Sequence, residues 1–285
     1  MQNNTLIALV DGSAYSESVC HHAAWIAGRC DWKVTVYHVM GRREGAGKQD
    51  LSGTISLGAR TALLQQLAEL DAERSKLAQE QGRAILEDAR TIIEGDGDIA
   101  VETRLRQGDL VETIADKEDS SDMIVIGKRG EAAGQAMAHL GSNLERIVRA
   151  SHKPVFIANR AFKPIENVLV AFDGGASSRK AVDFIARSPL FTGLKLSLVF
   201  AGKQTSDIAT ALESAASSLK ARGFEVETSI RSGDPEKALA QITTLGNHEL
   251  LVMGAYGHSR VRALIIGSTT TEMIRSCRVP VLVMR

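Results

Sequence analysis

The chain has 285 residues, and at about 100–200 residues per domain this length predicts two domains, each large enough for its own core. Basic and acidic residues both total 34, so the zero net charge argues against a large electrostatic surface for nucleic acid or anionic lipid. The N-terminus does not resemble a signal peptide, and no apolar run reaches membrane-spanning length. The cysteines lack metal-like spacing and are expected to be buried thiols in a reducing cytoplasm: Cys20, Cys30 and Cys277.

Strands and helices are predicted to alternate along the first half of the chain. In order, the patterns predict a strand at 5–10, a helix, a strand at 33–40, a long helix at 56–94, a strand at 100–105, a short helix, a strand at 122–126, a helix and a strand at 154–158. Gly82 is expected to kink or break the long helix. The glycine-rich, charged segment 41–53 and the start of that helix are expected to be the least ordered part of the chain.

The same pattern then repeats in the second half. The sequence VETRLRQGD from Val101 corresponds to VETSIRSGD from Val226, and DMIVIGKRG from Asp122 corresponds to ELLVMGAYG from Glu249. Collinear similarity of this kind predicts a duplicated domain. The offset is 162 residues at the first strands and 125 at the third, so the first half carries 37 additional residues.

The predicted fold class is α/β, with two tandem doubly wound domains at residues 1–160 and 161–285. Each is expected to contain a five-stranded, mostly parallel sheet with helices on both faces, because β-branched strands alternate with amphipathic helices. In such a sheet, ligands bind outside the carboxyl ends of the strands. Asp11 and Asp173 follow the first strands of the two halves and are expected to face that crevice.

One stretch in the second half, residues 250–274, has the order strand, glycine turn, loop and capped helix. Gly254 and Gly257 permit a close backbone approach to a ligand, and Gly267 precedes the hydroxyl residues Ser268–Thr270. The start of a helix offers unpaired N–H groups and a partial positive charge, so this arrangement predicts a phosphate cradle. The alternative interpretation is two turns and a capped helix without a ligand.

The spacing Gly-x2-Gly-x9-Gly-Ser resembles the nucleotide-binding motif of the universal stress protein family. Each half of the chain resembles one domain of that family, so the resemblance covers nearly the whole chain. It implies a cytoplasmic protein that binds ATP or a related adenine nucleotide, with Mg²⁺ as an optional companion, mainly in its second half, for a regulatory or sensing role in stress response. The residues that it nominates for the nucleotide are Asp173, Phe200, Met253, Gly254, Gly257, Gly267, Ser268, Thr269 and Thr270.

The resemblance also implies how the halves pack. In that family the terminal strands pair between subunits, so 155–158 and 281–284 are expected to pair here and to form an intramolecular pseudo-dimer. A homodimer of the tandem chain is left open, and neither a nucleic-acid partner nor a membrane partner is expected. The aspartate has an alternative role, since Asp173 could cap its own turn.

Several positions depart from the family pattern. Phe172 precedes Asp173 where small polar residues are usual, and Tyr256 stands inside the glycine turn, so both could narrow the pocket. In the first half ten residues, not nine, separate the second and third glycines, and Asn143 replaces a hydroxyl, which leaves nucleotide binding by this half open. Its corresponding residues are Asp11, Gly127, Gly130, Gly141 and Ser142, with Lys128 and Arg129 as additional phosphate candidates.

No catalytic constellation is recognisable, so an enzyme is not expected. His258 is the histidine near the cradle, and a loop histidine without an orienting partner is a weak general base. Two alternatives to the nucleotide sensor stay open. One is a duplicated scaffold without nucleotide binding that holds a protein partner or an apolar small ligand, and the other is a slow ATP-hydrolysing enzyme.

Overall fold

The computed structural model describes residues 4–41, 57–130, 142–255 and 268–285, with backbone alone at 57–63, 142 and 268–269. The first half contains β1 (Thr5–Leu9), α1 (Ser16–Cys30), β2 (Lys33–Met40), α2 (Leu57–Gly95), β3 (Val101–Gln107), α3 (Leu110–Ala115), β4 (Met123–Gly127), α4 (Ser142–Ala150) and β5 (Val155–Ala158). The second half contains β6 (Asn167–Ala171), α5 (Ala176–Arg187), β7 (Lys195–Ala201), α6 (Ser206–Lys220), β8 (Glu225–Arg231), α7 (Pro235–Leu245), β9 (Leu250–Gly254), α8 (Ser268–Ser276) and β10 (Val281–Met284). The predicted alternation of strands and helices is confirmed.

The strands of the described chain form one continuous sheet in the order β3-β2-β1-β4-β5-β10-β9-β6-β7-β8. Pairing is parallel within each half, and β5 and β10 join the halves antiparallel, with Phe156 opposite Leu282. The α/β fold and the pairing of the terminal strands are therefore confirmed. The domain boundary between residues 160 and 161 and a homodimer of the tandem chain stay predictions.

The two halves repeat each other at the level of single hydrogen bonds. The amide of Lys33 donates to the carbonyl of Asn4 over 3.0 Å, and the amide of Lys195 donates to the carbonyl of Glu166 over 2.9 Å. Both members of the second pair lie 162 residues after those of the first. From the first strand to the second strand, residues of the two halves can therefore be compared by this fixed offset.

The core consists of two apolar layers, one on each face of the sheet. Because neighbouring strand residues point to opposite faces, Phe156 belongs to the layer under α1, α2, α5 and α6, whereas Ile157 belongs to the layer under α3, α4, α7 and α8. Each layer runs across the β5–β10 junction from one half to the other. The junction is therefore part of the core, where burial of one large apolar side chain contributes about 1.5–3 kcal/mol.

Helix α2 runs without a break through Gly82, so the break expected there is wrong. A Cβ at this position would lie 2.7 Å from Cδ1 of Leu105 and 2.9 Å from Cδ2 of His38. The glycine therefore permits close packing of α2 on the carboxyl ends of β2 and β3. Glycine inside a helix costs about 1 kcal/mol relative to alanine, but a side chain at this position would have to displace Leu105 and His38.

Upstream of Gly82, helix α2 extends beyond the sheet. Residues 64–81 are exposed apart from Ser75, and the leucines at 64, 67, 70 and 77 keep between 41% and 63% of their surface in solvent. Most of the predicted loop at 41–53 lies outside the described residues. Among the helices that the structure describes, none is long and apolar enough to cross a membrane.

Candidate functional site

Asp173 lies at the carboxyl end of β6, where it holds the turn that leads into α5. Its Oδ1 accepts hydrogen bonds from the amide of Gly175 over 2.9 Å and from Oγ of Ser178 over 2.7 Å. The turn-capping alternative is thus realised, and it fixes the carboxylate at the mouth of the crevice. A ligand role for Asp173 in addition to this cap stays a prediction.

Gly254 ends the neighbouring strand β9 and lies against the first turn of α5. A Cβ on Gly254 would lie 2.9 Å from Cβ of Ser177, 3.0 Å from the amide nitrogen of Ser178, and in hard contact with Oγ of Ser177. The absence of a side chain is therefore required for helix packing, independently of any ligand. This contact brings the end of β9 beside the turn that contains Asp173.

The start of helix α8 is tied to the end of β9 by Thr270. The hydroxyl of this buried threonine donates toward the carbonyl oxygens of Gly254 and Ala255, at 3.3 and 3.1 Å. Helix α8 begins at Ser268, so its first amides, which have no partner within the helix, lie at the same crevice. The remaining predicted cradle residues, Gly257 and Gly267, lie outside the described residues, as do the side chains of Ser268 and Thr269.

Two other nominated residues have buried side chains. Phe200 near the end of β7 is in the α5–α6 core layer, and its ring carbon Cζ would lie 3.0 Å from a Cβ on Gly202. Met253 of β9 is in the opposite layer. Phe172, which was expected to narrow the pocket, is buried in the core instead. A contact of Phe200 and Met253 with a ligand stays a prediction.

The first half reproduces the aspartate turn. Oδ1 of Asp11 accepts from the amide of Ser13 over 3.0 Å and from Oγ of Ser16 over 3.2 Å. A Cβ on Gly130 would lie 2.6 Å from Oδ2 of Asp11, so the glycine turn passes directly over this carboxylate. Gly141 lies outside the described residues, and Ser142 is described as the first residue of α4.

The residues that follow β4 pack differently from their counterparts in the second half. A Cβ on Gly127 would lie 2.8 Å from Cβ of Tyr15, which occupies the position of Ser177. Lys128 donates from Nζ to the carbonyl oxygen of Cys277 over 2.7 Å. Its ammonium group therefore binds the end of α8, and a phosphate role for it stays a prediction.

Large pKa shifts in the described structure fall outside the crevice. Burial raises the pKa of the Cys20 thiol to about 12 and lowers the pKa of His22 to about 4. Both residues are on the core-facing side of α1. Such pKa shifts are typical of buried groups, because burial disfavours the charged form. Within the described ranges, no three His, Cys, Asp or Glu side chains are grouped so that they could hold a metal ion.

Sequence reasoning missed the serines at the start of α5. Ser178 holds the carboxylate of Asp173, and Ser177 lies against Gly254. The signal was present in the duplication, because Asp11 and Ser16 have the same spacing as Asp173 and Ser178. A side chain that bonds an aspartate five positions away in both halves marks a repeated element of the site.

Together, the fold and the crevice define a duplicated doubly wound α/β protein with a helix start held at the carboxyl ends of its strands. The family model described as "Universal stress protein family" matches residues 3–159 and 201–285. The chain therefore belongs to the universal stress protein family, whose members have stress-related roles and are generally non-catalytic.

Individual relatives cover the whole tandem chain. A universal stress protein of Synechocystis sp. is 35% identical over 285 residues, which cover 98% of this chain and 99% of the relative. One of Mycolicibacterium smegmatis is 21% identical and covers 97% and 95% of the two chains. The crystal structure of a universal stress protein from Archaeoglobus fulgidus superimposes with a TM-score of 0.75 at 24% identity, covering 100% of this chain and 99% of that chain. This structural likeness supports the tandem fold.

Proposed function

We propose that the second half of the chain binds ATP or a related adenine nucleotide and that the protein senses or regulates in stress response without fast catalysis. The observation that carries this proposal is the Thr270 hydroxyl, which ties the start of α8 to the carbonyls at the end of β9. This bond holds the amides of a helix start beside the turn of Asp173. Helix starts of this kind are favourable sites for phosphate groups.

The nominated residues have distinct proposed roles. The phosphates are assigned to the amides and hydroxyls of 267–269 and to the turn that contains Gly254 and Gly257. The nucleoside is assigned to Asp173 and to the backbone at the ends of β7 and β9, at Phe200 and Met253. Thr270 serves as a positioning residue, because its hydroxyl already donates to the backbone. A companion Mg²⁺ would be held mainly by the phosphates themselves.

The duplication offers a matched pair of variants for the test. Asp173→Asn and Asp11→Asn change the same position of the same turn in the two halves, and both retain an oxygen that can accept the turn hydrogen bonds. If the second half binds the nucleotide, Asp173→Asn should weaken ATP binding about 10- to 100-fold, because hydrogen bonds to a charged group contribute about 1.5–3 kcal/mol. Asp11→Asn should leave the affinity unchanged. Isothermal titration calorimetry measures both affinities.

Other results would lead to the alternatives. Failure of the parent protein to bind ATP, together with release of no nucleotide on denaturation by mass spectrometry, would favour a scaffold for a protein partner or an apolar ligand. Turnover of ATP that depends on Mg²⁺ would favour slow hydrolysis. Equal loss of ATP affinity in both variants would show that the nucleotide site is not confined to the second half. We also propose a cytoplasmic location, since Cys20, Cys30 and Cys277 are free thiols.

A further inference from the structure

A groove of about 490 Å³ lies between the two halves, at the amino ends of the strands. This volume is within the range of small-molecule sites. Its first wall is the end of α1 and the residues that precede β1 and β2, and its second wall is one face of α5. The lining side chains with aromatic or charged groups are Asp31, Trp32, Lys180, Asp183, Phe184 and Arg187. The candidate nucleotide crevice is at the opposite, carboxyl edge of the sheet.

The duplication shows what covers the corresponding surface in the first half. By the 162-residue offset, His21 and His22 of α1 correspond to Asp183 and Phe184 of α5. The ring of Phe162, which follows β5, lies on this α1 surface. Its centroid is 5.0 Å from that of His22, at an interplanar angle of 79°, and 5.8 Å from that of His21. An aromatic side chain of the protein itself therefore covers the first-half counterparts of Asp183 and Phe184.

On α5 the equivalent surface is open. In the part of the chain that the structure describes, Phe184 has one aromatic contact, with the buried Phe191 at 6.1 Å. Phe191 corresponds to Arg29, not to Phe162, so it does not take the place of the covering ring. Trp32, which is buried with 8% of its surface exposed, supplies a second aromatic contact in the groove. A ligand ring between these walls would gain edge-on or offset contacts of the kind that Phe162 makes on α1.

The groove also carries charges of both signs. Lys180, Asp183 and Arg187 lie on one face of α5, at helical spacing, and Asp31 faces them from the end of α1. None of these four side chains makes an ion pair with another residue in the described ranges. Two carboxylates and two cations beside aromatic walls match a ligand that has a ring, an ammonium group and a carboxylate. We propose that this groove binds a free aromatic amino acid.

Asp31 is the residue that best separates this role from a structural one. It has a left-handed backbone, with φ of 54°, and its counterpart Gly193 has φ of 76°. Glycine adopts this conformation without strain, whereas other residues do so at a cost. The fold therefore does not require a carboxylate at Asp31. In the proposal the Asp31 carboxylate binds the ammonium group of the ligand. The cations of Lys180 and Arg187 bind the carboxylate of the ligand.

The test is titration of the full chain with L-phenylalanine by isothermal titration calorimetry. The parent should bind one equivalent saturably, and saturating ATP should not displace it. Asp31→Gly and Lys180→Ala should each weaken binding about tenfold or more, because each removes one charge-assisted contact. Arg179→Ala, an exposed cation on the same helix outside the groove, should bind as the parent does.

The choice of variants and ligands keeps the proposal open to refutation. Asp31→Gly adopts the backbone of its natural counterpart, so it should unfold at the same or a higher urea concentration than the parent. L-Alanine, which lacks the ring, and phenylacetate, which lacks the ammonium group, should both bind about tenfold or more weakly. Absence of saturable phenylalanine binding, unchanged binding to Asp31→Gly, or equal binding of phenylacetate would each overturn the proposal.

Discussion

Lys128 of the first half donates a hydrogen bond from its ammonium group to the carbonyl oxygen of Cys277 in the second half, over 2.7 Å. Cys277 directly follows α8, where the last carbonyls of the helix carry a partial negative charge. Burial lowers the pKa of Lys128. One helix therefore has its start at the candidate cradle of its own half and its end held by the other half.

Replacing this lysine should weaken the junction. Lys128→Met retains the apolar stem and removes the ammonium group, so we expect a loss of about 1–2 kcal/mol in the free energy of unfolding, since the helix end loses a charged donor. Lys117→Met is the matched control, because Lys117 is exposed and should change stability by less than about 0.5 kcal/mol. Urea unfolding monitored by circular dichroism measures both, and equal midpoints would contradict the expectation.

His22 should make the stability of the protein depend on pH. Its Nδ1 lies 2.6 Å from the carbonyl of Ser18, its Nε2 is buried without a partner in the described structure, and burial lowers its pKa to about 4. The unfolded chain has the ordinary value near 6.5, so between these values the unfolded state binds more protons and stability falls as pH falls. From pH 7.5 to 4 this residue should cost about 3 kcal/mol.

His22→Phe tests this dependence, because Phe184 occupies the equivalent position in the second half. The variant should lose this part of the pH dependence in urea unfolding at pH 7.5, 5 and 4. His152→Gln, at an exposed histidine, should keep the parent's dependence. The same slope in the His22 variant and the parent would show that the histidine is not responsible.

Two glycines should respond oppositely to alanine. In Gly254→Ala the new Cβ meets Ser177 and the amide of Ser178, and backbone cannot move cheaply, so a loss of about 1–3 kcal/mol in unfolding free energy is expected. Gly28 is exposed within α1, with nothing within 4 Å of its would-be Cβ. Gly28→Ala should therefore gain about 0.5–1 kcal/mol. Thermal and urea unfolding of the two variants should move in opposite directions.

Hydrogen exchange should divide helix α2 at Gly82. Residues 85–93 include Leu86, Ala89 and Ile93 in the core, whereas nearly all of 64–81 is exposed. A helical segment without tertiary packing is marginally stable in water, so its amides should exchange several orders of magnitude faster than those of the packed part. Mass spectrometry of deuterated peptides measures the difference. Equal protection along the helix would mean that the exposed segment is covered in solution.

The strands and the duplication could be predicted because they depend on local apolar runs and on repetition. The runs at 250–253 and 122–126 form the inner strands β9 and β4, whereas the junction of β5 with β10 was implied by the resemblance to the universal stress protein family. The break expected at Gly82 was wrong because propensity acts locally, whereas the neighbours His38 and Leu105 come from distant positions. Tertiary packing overrode the local preference.

The candidate site could be predicted only in part from the sequence. The position of Asp173 follows from its place after a strand, but its bonds to the α5 turn depend on how the serines point. The motif predicts a glycine at position 254 for the approach of a ligand. In the structure, the neighbour that excludes a side chain there is Ser177. Periodicity cannot reveal such contacts, since each involves one atom pair brought together by the fold.

Because one chain contains both halves that meet at the antiparallel junction of β5 and β10, the halves are free from strict symmetry. A homodimer of one such domain would carry every substitution twice, once on each side of its axis. Here each position varies alone, so His22 is matched by Phe184 and Asp31 by Gly193. The partner domain is also always present at the high local concentration that covalent linkage gives, at any dilution of the protein. One continuous sheet can therefore keep two unlike halves together while each half acquires its own chemistry.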